Sequence, residues 1–436
     1  MIIEFSLRNF ASIRDKQTIS FEAEKSTHLE DHYIINESGY RLLKIALIYG
    51  ANASGKTTIL KALDFLRDLI LEPLEKKTDK FDFMPFLFDE KTPKESSTLS
   101  IKFLQHGIKY DYEVEFNNKS ILKEELHFYN PKKSILFKRT TNIQSQYTSI
   151  NFGSKIKIDT SVLKTLEANT LWNNTVLGGF LKTNIEFDEL RYVVEWFGNY
   201  LRTIIYPRTN LENFATSLIE KTAIDKTSII SILKEADLNI FDILMKKKEE
   251  QIPEELLELL KKDNETPNSK LQEVINKGKI ERTEVEFGHM VNDKMFSLPI
   301  NLESEGTRRF YCFSTLLTLL IKNSTMFPVD ELESSLHPDL YQHFILTFLV
   351  NSKKSQLIAT THNREILDNR DLFRNDVIWF TRKNTDSSTE LYSLADFDSS
   401  VIRNTTNVLN AYKSGKLSGI PNLGDYYIDL SDEKEK

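Results

Sequence analysis

Cysteine is nearly absent. Cys312 is the only one in 436 residues, which excludes an intramolecular disulfide and a thiolate zinc cluster and suits a reducing compartment. No run of eighteen apolar residues occurs, so no membrane span is expected. The opening "MIIEFSLRNFASIRDKQTISFEA" carries charges every few residues and lacks the apolar core of a signal peptide. Positive charge is not in excess: 57 Lys plus Arg stand against 64 Asp plus Glu, a net charge of −7. Bulk composition therefore excludes a constitutive, non-specific nucleic-acid binder, while a local basic groove stays open. Internal repeats and long low-complexity tracts are also missing. These absences describe a soluble cytoplasmic protein, long enough for two or three structural units. Its 40% hydrophobic and 11% aromatic content is ample for a core.

Glycine is scarce, at 14 residues, so the place where it is spent matters. Residues 45–60 read "IALIYGANASGKTTIL". The loop Gly50-Ala51-Asn52-Ala53-Ser54-Gly55-Lys56-Thr57 fits G-x-x-x-x-G-K-[ST], with Thr58 following. A loop that wraps phosphates must turn backbone N–H groups inward, which larger side chains would obstruct. Lys56 would bring a point charge to the β- and γ-phosphates, and the Thr57 hydroxyl can ligate Mg²⁺. The context fits. "LLKIALIYG" has the profile of a buried strand, and Ile59, Leu60, Leu63, Leu66, Leu69 and Ile70 recur at helical spacing after it.

Period-two apolarity at Ile3, Phe5 and Leu7, then Ile13, Ile19 and Phe21, predicts short strands at the start of the chain. "STLSIKFLQ", "KYDYEVEF" and "ILFKR" predict an antiparallel subregion over 97–140. From about 161 to 280 the texture turns helical. "DKTSIISILKEADLNIFDILMKKKEE" and "PEELLELLKKDNE" read as amphipathic helices, punctuated by Pro253 and "NETPNSK". Strands resume at "TEVEFGH" and "MFSLPI", a long helix spans "EGTRRFYCFSTLLTLLIKN", and "MFPVDE", "QLIATTH" and "DVIWFTR" alternate with helices as in a mostly parallel sheet.

A phosphate loop needs an acidic partner. In "TMFPVDELESSLHP", Asp330 ends an apolar strand where a carboxylate can hold Mg²⁺ through water, and Glu331 follows on the opposite side, suited to polarising an attacking water.

These residues, with "ESEGTRRF" before them and "SSLHP" and "LIATTHN" after, occur in an order that resembles the ABC-type ATPase heads of SMC, RecF and OLD-like proteins. The likeness is strongest to bacterial ABC-like AAA-type ATPases linked to phage defence and abortive infection. "IIEFSLRNFASIRDKQTISFEA" and "NAYKSGKLSGIPN" also look like that group, whereas the helical middle matches only loosely. The resemblance implies an α/β P-loop NTPase: an ABC-ATPase-like head with a mixed sheet, an antiparallel β subregion and a helical insertion. Its parts would be 1–155, the N-terminal half of the head; 156–284, an inserted lid or docking surface; and 285–436, the C-terminal half.

By the same resemblance, Ser304 and Gly306 would be a signature motif contacting the γ-phosphate on a second subunit. A hydroxyl and a helix N-terminus both suit an anion. Ser335, Leu336 and His337 would form the dimer-contact loop, and His362 would sense the γ-phosphate. Three departures stand out. Ala11 follows Asn9-Phe10 where many relatives have a basic residue that helps hold the nucleotide, Glu305 replaces a signature glycine, and Gln105 fits a glutamine-loop role only by rough position. Too few residues follow "SLHP" for the nuclease domain of OLD-type relatives, and the insert is too short for an SMC arm.

The expected function is an ATP- and Mg²⁺-dependent ATPase, catalysed through Lys56, Glu331 and His362, that dimerises over nucleotide and regulates a separate toxin or nuclease in antiviral defence. A RecF- or SMC-like DNA-repair or loading ATPase and an ATP-binding scaffold without turnover are the alternatives.

Overall fold

The computed structural model describes residues 1–255, 257–258, 274–397, 407–417 and 419. The chain divides into two compact units, the second made of Arg208–Lys322 and Ser335–Phe348 and the first of the rest.

The first unit is built on two large sheets, with a small two-stranded one formed by Ile34–Glu37 and Tyr40–Leu43. In one, the strands run in the order Met326–Val329, Gln356–Thr360, Ile45–Gly50, Ile378–Lys383 and Thr389–Ser393. The first four are parallel and the last is antiparallel. All six residues of Ile45–Gly50 are buried, as a continuous apolar run at the centre of a covered sheet should be. The register pairs Ala46 with Ile358 and Ile48 with Trp379, so the strand ends of the central trio lie together.

The other sheet is antiparallel throughout, in the order Tyr147–Phe152, Lys133–Asn142, Ile121–Tyr129, Ile108–Phe116, Ser97–Gln105, Ile2–Arg8 and Gln17–Ser20. The helix Lys56–Leu71 packs against Ile2–Arg8 of this sheet and against the central strands of the parallel one. Its buried apolar residues are the six the helical period selects, Ile59, Leu60, Leu63, Leu66, Leu69 and Ile70, with Ala62 beside them. A helix clamped between two sheets fixes the loop at its N-terminus.

In the second unit the helix Glu305–Lys322 packs against Glu212–Glu220 and Lys226–Glu235. An antiparallel sheet joins Asp242–Gln251, Lys279–Val291 and Lys294–Pro299. This corrects one expectation. The stretch 225–250 is helical only over Lys226–Glu235, and "KKKEE" lies on a strand. The segment 156–284 is therefore not wholly helical. Most of 253–265, all of "NETPNSK" and the end of "NAYKSGKLSGIPN" lie outside the described residues. Among the described residues, no helix is long and apolar enough to cross a membrane.

Candidate functional site

The phosphate loop leaves the end of Ile45–Gly50 and enters the helix at Lys56. Gly50 is needed for close approach, because a Cβ there would collide with the hydroxyls of Thr381 and Ser54. Gly55 has φ +98°, and its Cβ would strike Thr389 and Ser12. Ser54 is fixed by a hydrogen bond between its hydroxyl and that of Thr381 at 2.6 Å. The Thr389 hydroxyl donates to the Ser54 carbonyl at 2.9 Å. Ala51, Asn52 and Ala53 complete the turn, with Ala53 at φ +59°. Ser12, Ala53, Ser54, Gly55, Lys56, Thr57 and Thr58 line the resulting pocket.

The Lys56 ammonium donates to the carbonyls of Gly50 and Ala51, 3.0 Å each, and so lies across the loop. Burial pushes its pKa below the ordinary lysine value, against the opposing pull of Asp330, Glu331 and Glu333. It is a cation with strong reason to bind an anion.

Thr57 and Asp330 meet. The Thr57 hydroxyl donates to Asp330 Oδ1 at 2.9 Å. Two further bonds hold Asp330, which is only 6% exposed: its backbone N–H donates to the Ile205 carbonyl at 2.8 Å, and Thr360 Oγ1 donates to Oδ1 at 2.6 Å. The pairing of Val329 with Ala359 brings Thr360 to this position. A hydroxyl and a carboxylate are hard oxygen donors of the kind Mg²⁺ takes from protein, phosphate oxygens and water completing its shell. Thr57 and Asp330 would hold such an ion.

Glu331 follows with φ +48°, its N–H donating to Thr360 Oγ1 at 2.8 Å. His362 lies two residues beyond the end of Gln356–Thr360, and its N–H donates to Glu333 Oε1 at 2.5 Å. His362 retains exposed surface; crowding by the surrounding protein and then the Lys56 charge lower its pKa below the ordinary value, so the ring is neutral near pH 7. The other Glu333 oxygen is buried without a hydrogen-bond partner. Within the first unit the chain thus gathers Lys56, Thr57, Asp330, Glu331 and His362, together with Glu333 and Thr360. The sequence reading omitted the last two, although "DELE" and the doubled threonine of "ATTH" carry both.

The expected signature and dimer-contact residues belong to the second unit. Ser304 is exposed and accepts the Thr307 N–H at 3.1 Å, capping the helix. The Ser335 hydroxyl donates to Glu305 at 2.6 Å, and a Cβ on Gly306 would stand 3.3 Å from the Ser335 carbonyl. Ser304, Gly306 and Ser335 therefore form one local group; Glu305, which stands where a glycine was expected, orients Ser335. His337 is exposed and accepts the Asp339 N–H at 3.3 Å. Gln105 is a correction. It ends Ser97–Gln105 beside His106, at the end of the Ile2–Arg8 pairing opposite Arg8, and Arg8 is the end that leads to Ser12.

Residues 45–368 match the family described as "AAA domain, putative AbiEii toxin, Type IV TA system". Among solved structures, the chain is similar to the SMC head domain from Thermotoga maritima, at 14% identity and TM-score 0.41, covering 90% of this chain and 98% of that one. It is also similar to an SMC head bound to the C-winged helix domain of ScpA, at 13% identity and TM-score 0.39, covering 90% and 97%. No curated protein matches. The family match begins at the strand that carries the phosphate loop and ends beyond His362, and on its extent the chain belongs to this AAA-domain family.

Proposed function

We propose that the chain is an ATP phosphohydrolase that uses Mg²⁺, closes as a dimer over bound nucleotide, and regulates a separate effector protein in the cytoplasm. The observation that carries this reading is the Thr57–Asp330 hydrogen bond, at 2.9 Å between residues 273 positions apart. It puts the acidic strand end at the mouth of a loop already shaped for phosphates.

The roles follow from the chemistry. The 50–57 backbone and Lys56 bind the phosphates, and the N-terminal end of the Lys56–Leu71 helix adds its partial positive charge. When bound, magnesium would neutralise developing charge on the phosphate oxygens. Glu331 accepts a proton from the attacking water, and neutral His362 hydrogen-bonds the terminal phosphate. Ser304 and Gly306, at an exposed helix N-terminus, contact the nucleotide of a second copy, with Ser335 beside them, as the resemblance to ABC-type heads implies. The effector, a toxin or a nuclease in antiviral defence, rests on that resemblance and on the family's description.

The DNA-loading alternative has less support. Its basic groove would need Lys246, Lys247 and Lys248, yet these pair with Glu286, Glu281 and Glu284 at 2.7, 2.9 and 2.7 Å. Arg308 is bound to Glu212 at 2.6 Å, and Arg309 is buried with its guanidinium 4.5 Å from the Phe313 ring centre.

The test is direct. Lys56→Ala should abolish ATP binding, and Glu331→Gln should bind ATP but hydrolyse it at least about a hundredfold more slowly. Phosphate release by Glu331→Gln at the wild-type rate would remove Glu331 from the chemistry. No release by wild type would favour the scaffold reading.

A further inference from the structure

In the second unit, the short strand Lys294–Pro299 pairs with Lys279–Val291 only from Glu286 onward. Residues 282–285 therefore have Asp242–Gln251 on one side and, among the described residues, no strand on the other. Where the short strand stops, the chain turns through Ile300–Leu302 beside a cavity of about 420 Å³. That is room for a small organic molecule.

The cavity walls carry unequal charge. Lys248, Arg282 and Arg308 line it, against Glu212 and Glu284. Both carboxylates are already engaged, Glu284 with Lys248 at 2.7 Å and Glu212 with Arg308 at 2.6 Å. Arg282 is left over. Among the described residues its guanidinium has no ion pair and no hydrogen bond, and the residue directly across the strand pair is Lys248, a like charge. Like charges so opposed are destabilising, and an anion beside Arg282 relieves them.

Two further groups face the same space. The side-chain amides of Asn213 and Asn301 line the cavity and make no hydrogen bond among the described residues. A guanidinium fork and two amide groups suit a tetrahedral oxyanion, whose oxygens each accept several bonds. Val285, Pro299 and Ile300 add an apolar wall, which a bare inorganic ion does not use and an organic body does.

We propose that this cavity binds a small organic phosphate monoester, its phosphate on Arg282 and its body against Val285, Pro299 and Ile300. The site is not the 50–57 loop, which belongs to the first unit. Arg308 places it on the first turn of Glu305–Lys322, the helix that Ser304 caps. A ligand there touches the element proposed to meet the nucleotide of a second copy, so it is placed to regulate that contact.

The experiment uses the full chain carrying Lys56→Ala, which silences the phosphate loop. Ribose 5-phosphate and unphosphorylated ribose are titrated into it calorimetrically. Ribose 5-phosphate should bind and ribose should not. Adding Arg282→Gln, a change at an exposed side chain, should weaken ribose 5-phosphate about tenfold or more, the effect of a lost charged hydrogen bond. No binding of ribose 5-phosphate at millimolar concentration, equal binding of ribose, or an affinity indifferent to Arg282→Gln each overturns the site. None of these results touches the ATPase reading, which the Glu331→Gln assay decides separately.

Discussion

Asp330 makes its contacts because of where two strands end, and that sets what a sequence can disclose at the scale of single residues. The Gly50–Thr57 loop and the Asp330-Glu331 pair are legible because motif and chemistry lie within a few positions of each other. Thr360 is not, since it reaches Asp330 only through the parallel register of Val329 with Ala359. Glu331 sits at φ +48°, a conformation costing about 1–2 kcal/mol for a residue with a Cβ. Such strain is characteristic of functional sites and is sustained by the surrounding bonds. For His362, crowding by the surrounding protein and then the Lys56 charge lower the pKa. The sign follows: the folded chain binds fewer protons here than the unfolded chain, so the neutral ring persists as pH falls through the ordinary histidine value and is lost only below it. In a pH–rate profile of ATP hydrolysis, the acid limb due to this residue should therefore lie below about pH 6.5. His362→Gln, which keeps a hydrogen-bonding side chain but cannot titrate, should lack that limb.

At the scale of elements, periodicity served well where one face is buried. The Lys56–Leu71 helix and the Ser97–Gln105 strand occupy the stretches their apolar spacing marks out. It failed at Asp242–Gln251, where six residues from Lys246 onward are exposed and no alternation survives. There the strand is held by its partner. Directly opposite, Lys248 faces Arg282 and Glu249 faces Glu281, both like-charge pairs. Diagonal bonds from Lys246 to Glu286, Lys248 to Glu284 and Lys279 to Glu249, at 2.7, 2.7 and 2.8 Å, offset them. Cross-strand pairing of this kind is invisible to a local window. It also makes a prediction. These lysines are exposed and already matched, so Lys246→Gln/Lys247→Gln/Lys248→Gln should change the melting temperature little. It should also leave DNA retention at low salt as it is in wild type. A marked loss of ATP-dependent DNA binding by the triple variant would restore the DNA-loading reading, because every phosphate contact removed lowers affinity and flattens its salt dependence.

For the whole molecule, the proposed dimer predicts how two copies would share one reaction. If Ser304 of one copy serves the nucleotide held by Lys56 of another, each site is composite, and two defective chains can repair each other in a defined proportion. Lys56→Ala lacks a phosphate loop but keeps its signature group; Ser304→Arg keeps the loop but presents a bulky cation at an exposed helix N-terminus, where Ser304 lies. Each variant alone should hydrolyse almost no ATP. Mixed in equal amounts, they should form mixed dimers about half the time, and one of the two sites in each mixed dimer combines the intact loop with the intact signature. Hydrolysis should recover to about a quarter of the wild-type rate, measured by phosphate release at fixed total protein. No recovery, with mixed dimers demonstrated by differently tagged chains, would mean that Ser304 acts within its own subunit. Full activity of Ser304→Arg alone would remove the shared site altogether, leaving a nucleotide-binding unit complete in a single chain.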